Sequence, residues 1–244
     1  MVPIILTSDE THLTNFSGDK KAWPIYLTIE NLPLTIRSKL SQLATVLLAL
    51  LPVPPKIGDV PTMVAKQYAQ IKLEALHQAI RNILQPLKDI SSEGLQMECA
   101  DLQQRQCYPI LAAWLTDHME YIDIFCIKKD CCPVCEVSSK QLGMSLAELQ
   151  ADNLRPLRRR DYQRYIRLQQ TILDDSTSAQ RREVSIHNLE DRGIRGPKWI
   201  LNVLSELPYV HPNLLHTPDL LHGVYLGLLD HLMTWIEGLL KKYK

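Results

Sequence analysis

Residues 2–9 read VPIILTSD, a short run of apolar side chains that ends in polar ones. Such a run predicts a β-strand that delivers an acid, Asp9, at its end. Two further apolar runs, WPIYLTI at residues 23–29 and ATVLLALL at residues 44–51, each stop at a segment that contains proline. Three strands in succession predict an antiparallel meander, although the third run fits the start of a helix equally well, because short apolar runs are ambiguous.

The apolar period becomes helical at residues 60–87, where apolar side chains recur at steps of three and four. Residues 95–100 and 107–115 then predict two more strands, and Asp117 follows the second. The order strand, strand, strand, helix, strand, with an acid after the first strand and after a later one, is typical of a ribonuclease H-like α/β core. In that fold the two strand ends lie side by side, so we expect Asp9 and Asp117 to converge.

The rest of the chain is predicted to be mainly helical. Its apolar pattern predicts helices at residues 142–150, 158–173 and 218–242. We therefore expect a ribonuclease H-like domain of mixed sheet and flanking helices over residues 1–135, and a mainly helical region over residues 136–244.

The composition is that of an ordinary folded chain. Of its 244 residues, 45% are hydrophobic and 22% are charged, which excludes a disordered or collagen-like protein. The 27 basic and 27 acidic side chains cancel, so any attraction to nucleic acid or to a membrane must be local. The longest apolar run is far shorter than the roughly 20 residues of a membrane helix. The N-terminus has no signal-peptide pattern, so we expect an intracellular protein.

The two acids that end strands are candidates for metal binding. Phosphodiester cleavage needs an activated water and neutralised phosphoryl charge, which paired Mg²⁺ ions supply when carboxylates hold them. Alternatively, an Asp after a strand is a turn or cap residue, because its side chain accepts hydrogen bonds from the following backbone. A third acid should complete a metal site, and no position is compelling. Glu237, in the last predicted helix, fits a solvated charge equally well.

The cysteines suggest a second metal site. Four of the six are crowded into ten positions: Cys126, Cys131, Cys132 and Cys135. Cys132 and Cys135 form a C-x2-C pair, whose spacing lets two thiolates bind one tetrahedral Zn²⁺. Asp219 and His222 are the best completion, because an i,i+3 pair lies on one face of a helix. The alternative is that the thiols are small buried side chains and that His222 is a core histidine.

One segment of the neutral chain is strongly cationic. Its candidate DNA-binding residues are Arg158, Arg159, Arg160, Arg164 and Arg167. On a helix, Arg160, Arg164 and Arg167 share a face with Tyr162 and Tyr165 interleaved, which suits phosphate contacts and base stacking. A nuclear-import signal and a solvated helix face paired with nearby acids are the alternatives.

Three long strings of the sequence resemble one known family. They are PIILTSDETHLTNFSGDKKAWPIYLTIENLP (residues 3–33), CYPILAAWLTD followed by CPVC (107–117 and 132–135), and GIRGPKWILNVLSELPYVHPNLLHTPDLLHGVYLGLLDHLMTW (193–235). With these strings in this order, nearly the whole chain resembles the Plavaka transposases of fungal mobile elements, which belong to the KDZ and CACTA-like group.

The resemblance implies a DDE-type catalytic core of ribonuclease H-like fold that cuts and joins element ends with Mg²⁺ or Mn²⁺. By position, Asp9 resembles the first catalytic acid and Asp117 the second. The C-x2-C pair resembles a motif that such transposases carry, and Asp219 with His222 resembles their D-x2-H motif, which lies between the second and third acids and is implied to support the catalytic site. DNA is the implied partner, with homo-oligomers, a nuclear location and no membrane.

The chain also departs from the pattern of that family. The third acid, usually Glu, lies after the D-x2-H motif and an inserted helical region, whereas this sequence ends at Lys244, shortly after His222. We therefore expect the third acid to be absent and the chain to be a fragment. One hypothesis is a metal-dependent DNA transposase. The others are a non-catalytic remnant that binds DNA, zinc or another protein chain, and a helical scaffold held by zinc.

Overall fold

The computed structural model describes residues 1–14, 20–55, 57–137, 140, 144, 147, 159–195, 203–217 and 219–242, with the backbone alone at residues 40 and 221–223. Its strands are β1 (Val2–Ser8), β2 (Thr11–His12), β3 (Lys21–Ile29), β4 (Val46–Leu51), β5 (Leu95–Glu98), β6 (Gln104–Cys107) and β7 (Pro109–Leu115). Its α-helices are α1 (Leu34–Arg37), α2 (Thr62–Glu93), α3 (His118–Ile124), α4 (Tyr162–Leu173), α5 (Ala179–Glu190) and α6 (Asp230–Lys242). A π-helix, Leu221–Leu229, precedes α6, and short 3-10 helices lie at Leu40–Gln42, Val203–Glu206 and Pro212–Leu214.

The main sheet is mixed and confirms the predicted meander. β3 pairs antiparallel with both β1 and β4, and β1 pairs parallel with β7, so the order across the sheet is β4, β3, β1, β7. β2 also pairs with β3, in the register that β1 sets. β1 and β2 are therefore one arm, interrupted at Asp9 and Glu10. The ambiguous third run is a strand, and the protein has a mixed α/β architecture.

Helix α2 connects β4 to the strands that follow it and packs on the sheet. Leu76, Ile80 and Leu84 of this helix join the buried core with sheet residues such as Leu6 and Trp114. The helix continues past the predicted end at residue 87, since a tertiary contact holds its last turns: the Ser91 hydroxyl donates to the Pro109 carbonyl oxygen at 2.6 Å. Gly94, at φ +77°, ends it.

The second half of the chain contributes to the same core. Tyr165 and Leu204 belong to one buried cluster with Leu6 and Trp114. Helix α4 begins at Tyr162 and not at residue 158, because the Asp161 carboxylate caps it by accepting from the Arg164 N–H at 3.0 Å. The predicted helix at residues 142–150 falls almost entirely outside the described residues.

The C-terminal helical segment packs differently from the rest. The predicted final helix is a π-helix followed by α6, and none of the residues of α6 is buried. Within the described part of the chain, no helix has both the length and the apolar character needed to cross a membrane.

Candidate active site

Two of the predicted acids meet at one edge of the sheet. Because β1 and β7 are parallel neighbours, with Thr7 opposite Leu115, their last residues lie side by side. Asp9 and Asp117 follow these strands closely and line the same cleft, which has a volume of about 310 Å³. The expected convergence of the two acids is therefore present.

A third carboxylate, Asp219, also lines this cleft. The backbone N–H of Trp114 donates to the Leu215 carbonyl oxygen at 3.1 Å, and Trp114 forms a parallel bridge with His216. This pairing brings residues 215–217 alongside the end of β7, and Asp219 comes two residues later. We call the surface lined by Asp9, Asp117 and Asp219 the acid cleft.

A repeated pattern in the sequence marks the three sides of the acid cleft. Each acid follows a threonine by one or two positions: TSD at residues 7–9, TD at 116–117 and TPD at 217–219. All three threonines line the cleft with the acids. The sequence interpretation placed Asp219 with His222 in a pair that either binds zinc or supports the catalytic site, and it did not use this repeat.

Asp117 lines the cleft and also caps helix α3, so the cap role considered for it is present and its metal-binding role stays a prediction. Its Oδ1 atom accepts a hydrogen bond from the Glu120 backbone N–H at 2.7 Å. A carboxylate has two oxygens with about four acceptor sites, so the cap leaves capacity for a cation. The cap also fixes the orientation of the carboxyl group.

Glu120 is a buried carboxylate behind the acid cleft. Its side chain accepts hydrogen bonds from the Ser8 hydroxyl at 2.8 Å, the Thr116 hydroxyl at 2.5 Å and the Glu10 backbone N–H at 2.5 Å. Burial raises the pKa of Glu120, and the bonds from Thr116 and Ser8 act in the opposite direction. The sequence interpretation did not single out this residue. Its D-x2-E spacing from Asp117 is typical of a helix capping pair, and this conceals the long-range contacts.

A second cleft, of about 340 Å³, adjoins the first and shares Asp117 and Asp219 with it. It adds the side chains of His118, Tyr121 and His216. The His216 ring meets the Tyr121 ring edge to face, with centroids 4.5 Å apart. Burial lowers the pKa of His216, and the positive charge of His118 lowers it further, which favours a neutral imidazole beside the acids.

The oxygen ligands of the acid cleft suit Mg²⁺. Among the described residues, no group of three or more His, Cys, Asp or Glu side chains is close enough together to hold a metal ion. Mg²⁺ does not require such a group, because it keeps several waters and commonly binds one or two carboxylates plus the phosphates of a substrate. The donor set of the cleft therefore fits this cation.

The cysteine pair lies in the loop that follows α3. Cys135 forms an isolated antiparallel bridge with Arg159, and the Cys132 sulfur accepts from the Val134 N–H at 3.4 Å. Burial raises the pKa of Cys135, and its contact with the Cys132 thiol raises it further. The side chain of His222 lies outside the described residues, so the zinc group stays a prediction.

The structure contradicts part of the predicted DNA-binding helix face. Arg160 is only 2% exposed; its Nε atom donates to the Cys132 carbonyl oxygen at 2.8 Å, and its Nη1 atom donates to the Arg192 carbonyl oxygen. Tyr162 and Tyr165 are also buried, so they are not available to stack on bases.

The remaining cationic candidates are more accessible. Arg159, Arg164 and Arg167 are exposed, whereas Arg158 falls outside the described residues. Glu237 is exposed on α6, as a solvated charge would be.

Comparison with known proteins gives the family. The sequence profile of the Plavaka transposase family matches residues 1–236. The chain therefore belongs to the Plavaka transposase family, which supports a transposase function and DNA as the partner. Searches of curated proteins and of solved structures found no match to the chain.

Proposed function

We propose that this chain carries the metal-dependent catalytic centre of a DDE-type DNA transposase, in which Asp9, Asp117 and Asp219 act together on a DNA phosphodiester. The observation that carries the proposal is the acid cleft, where three carboxylates from distant parts of the sequence line one surface. Two of them follow parallel neighbouring strands.

The strand order supports a ribonuclease H-like core. Three antiparallel strands are followed by α2 and then by β7, which runs parallel to β1. The bridge between Trp114 and His216 adds a short parallel segment beyond β7. Acids at the ends of the first strand and of its parallel neighbour are what the DDE mechanism requires.

In DNA cleavage, the cation and the protein side chains would have different roles. A divalent cation, Mg²⁺ or Mn²⁺, supplies charge neutralisation and an activated water or 3′-hydroxyl. Asp9 and Asp117 would hold it through carboxylate oxygens, with waters and the phosphates of DNA as its further ligands, and Asp219 would act from the same cleft. The hydrogen bond from Glu120 keeps the Asp117 carboxyl group oriented. No covalent intermediate with the protein is needed.

Cationic side chains near the acids support DNA as the substrate. A cleft of about 600 Å³ is lined by Lys20, Lys21 and Lys72 together with Glu10, the residue after Asp9. Glu10 forms an ion pair with Lys21. Phosphate contacts from lysines position nucleic acid without reading its sequence. This cleft is therefore suited to bind the DNA backbone beside the acids.

Cleavage of DNA by the purified chain tests the proposal. Supercoiled plasmid is incubated with the protein and Mg²⁺ or Mn²⁺, and nicking is followed for the wild type, Asp9→Asn, Asp117→Asn and the matched control Asp59→Asn, an exposed loop residue. We expect a metal-dependent rate that Asp9→Asn and Asp117→Asn abolish and Asp59→Asn retains. Equal background nicking in all four proteins would overturn the catalytic proposal. DNA binding without nicking would then favour the non-catalytic remnant.

A further inference from the structure

We infer that Glu120 is a positioning residue that holds Asp9 and Asp117 at the acid cleft by joining the ends of β1 and β7. The inference rests on the proposed function, since it explains how the metal-binding geometry would be maintained. It concerns a carboxylate behind the cleft and not a fourth ligand.

The contacts of Glu120 surround Asp9. Ser8 precedes Asp9 and donates its hydroxyl to Glu120, while Glu10 follows Asp9 and donates its backbone N–H. Both neighbours of Asp9 are thus bound to the same carboxylate, which leaves Asp9 little freedom to move relative to Glu120.

The same carboxylate also holds the end of β7. Thr116, the residue before Asp117, donates its hydroxyl to Glu120 at 2.5 Å. In addition, the backbone N–H of Glu120 donates to the Asp117 carboxylate at 2.7 Å. One residue therefore contacts both sides of Asp9, the neighbour of Asp117, and Asp117 itself.

The break between β1 and β2 explains why the hydrogen bonds of Glu120 are needed. β2 continues the register of β1, which leaves Asp9 and Glu10 opposite Pro24 and Trp23 of β3. Pro24 has no N–H to donate, so the ladder cannot run unbroken through this position. The Glu10 N–H donates to Glu120 instead of to a strand partner.

The hydrogen-bond donors around Glu120 match a carboxylate group, both of whose oxygens accept hydrogen bonds. The Trp114 ring N–H donates to the Ser8 oxygen at 3.0 Å, so the Ser8 proton is directed to Glu120. Three donors thus converge on one buried acid, and a buried carboxylate is tolerated only when it is hydrogen-bonded in this way. A glutamine amide in the same place would direct its N–H groups at one or more of these donors.

Binding of Mn²⁺ alone tests this positioning role without requiring cleavage. Free Mn²⁺ is measured by electron paramagnetic resonance during titration of the wild type, Glu120→Gln, Asp9→Asn and Ser91→Ala. Ser91→Ala is the matched control, because Ser91 is also buried and joins α2 to Pro109 at the opposite end of β7. Circular dichroism confirms that each variant is folded.

We expect Glu120→Gln to weaken Mn²⁺ binding about 10- to 100-fold, as loss of an outer-shell partner does at other metal sites. Ser91→Ala should lower the urea midpoint without changing the Mn²⁺ affinity. If Glu120→Gln does not fold, Thr116→Val removes a single donor to the carboxylate and should weaken binding by a smaller factor.

The outcomes separate the two proposals. If Asp9→Asn abolishes Mn²⁺ binding while folded Glu120→Gln, or Thr116→Val in its place, retains the wild-type affinity, the positioning role is wrong and the proposed function stands. If Ser91→Ala weakens Mn²⁺ binding as much as Glu120→Gln does, Glu120 acts only through general stability and the inference is overturned. If the wild type binds no Mn²⁺ that depends on Asp9, the proposed metal site fails and the positioning role fails with it.

Discussion

The acid cleft collects side chains from three chain segments that end at one edge of the sheet, whereas the cysteine loop, residues 131–135, is held chiefly by one buried arginine from the segment before α4. In the cleft the polar groups are brought together by strand pairing over more than a hundred residues of sequence. In the loop they are sequence neighbours. The ends of neighbouring strands thus bring together polar side chains that the order of the sequence keeps far apart.

The largest effect is expected for a change at Asp219. The sequence left this residue between a zinc group with the cysteines and a role at the catalytic site, and in the structure it lines the acid cleft. We expect Asp219→Asn to lower metal-dependent nicking more than about 100-fold, because even outer-shell changes cost about 10- to 100-fold at metal sites. Its zinc content, measured by mass spectrometry, should match that of the wild type. The exposed control Asp59→Asn should change neither quantity.

A different result would join the acid cleft and the cysteine loop. If Asp219→Asn and Cys132→Ser remove the same equivalent of zinc, Asp219 belongs to a zinc group with the C-x2-C pair. The two regions would then share Asp219, and the zinc interpretation of the sequence would be correct.

A smaller effect is expected at Arg160, the residue that holds the cysteine loop. Its guanidinium is buried and donates to the carbonyl oxygens of Cys132 and Arg192. Hydrogen bonds from charged groups contribute about 1.5–3 kcal/mol each, so Arg160→Ala should lower the free energy of unfolding by about 3 kcal/mol in urea titrations. Arg164→Ala, on the exposed face of α4, should stay within about 0.5 kcal/mol of the wild type.

The same pair of variants tests the functional interpretation of the basic segment. Equal, small losses of stability for Arg160→Ala and Arg164→Ala would show that Arg160 is not a structural residue. Arg160 would then again be a candidate DNA-binding residue.

The features that the sequence predicted correctly depend on periodicity and order. The meander, α2 and the convergence of Asp9 with Asp117 all follow from where apolar runs begin and end, because a parallel crossover forces the ends of β1 and β7 to one edge. The helix phase around Arg160 could not be predicted in this way. Because Asp161 caps α4, the helix begins after Arg160. Tyr162 and Tyr165, which were expected to be exposed for DNA binding, are buried.

Glu120 and Asp219 could not be placed from the sequence for a related reason. The contacts of Glu120 reach β1 across more than a hundred residues, and its local spacing fits a helix cap. Asp219 depends on the pairing of residues 215 and 216 with β7, a segment too short to give a strand pattern. The repeated threonine-acid ending and the D-x2-H spacing are the features of the sequence that mark it.

The smallest expected effect lies where the two regions join, at the end of α3. His77 of α2 is buried there, with its Nε2 atom 3.0 Å from the Asp123 carbonyl oxygen and 3.3 Å from the Cys126 sulfur. Burial lowers the pKa of His77 below its usual value of 6.5. As the pH falls through 6.5, the unfolded chain therefore takes up a proton before the folded chain does, and stability decreases.

One proton changes the free energy of unfolding by at most about 1.4 kcal/mol per pH unit, so His77 should contribute a loss of no more than about 1.4 kcal/mol between pH 7.5 and 5.5. Urea titrations at the two pH values measure this loss, and His77→Gln, which keeps an N–H donor without a titrating ring, should reduce it. The exposed His187→Gln on α5 is the control and should retain the full loss. If His77→Gln is as sensitive to acid as the wild type, the junction is not pH-dependent. The loss of stability would then come from other groups that titrate in this range. The buried His77 at the end of α3 would contribute nothing to it.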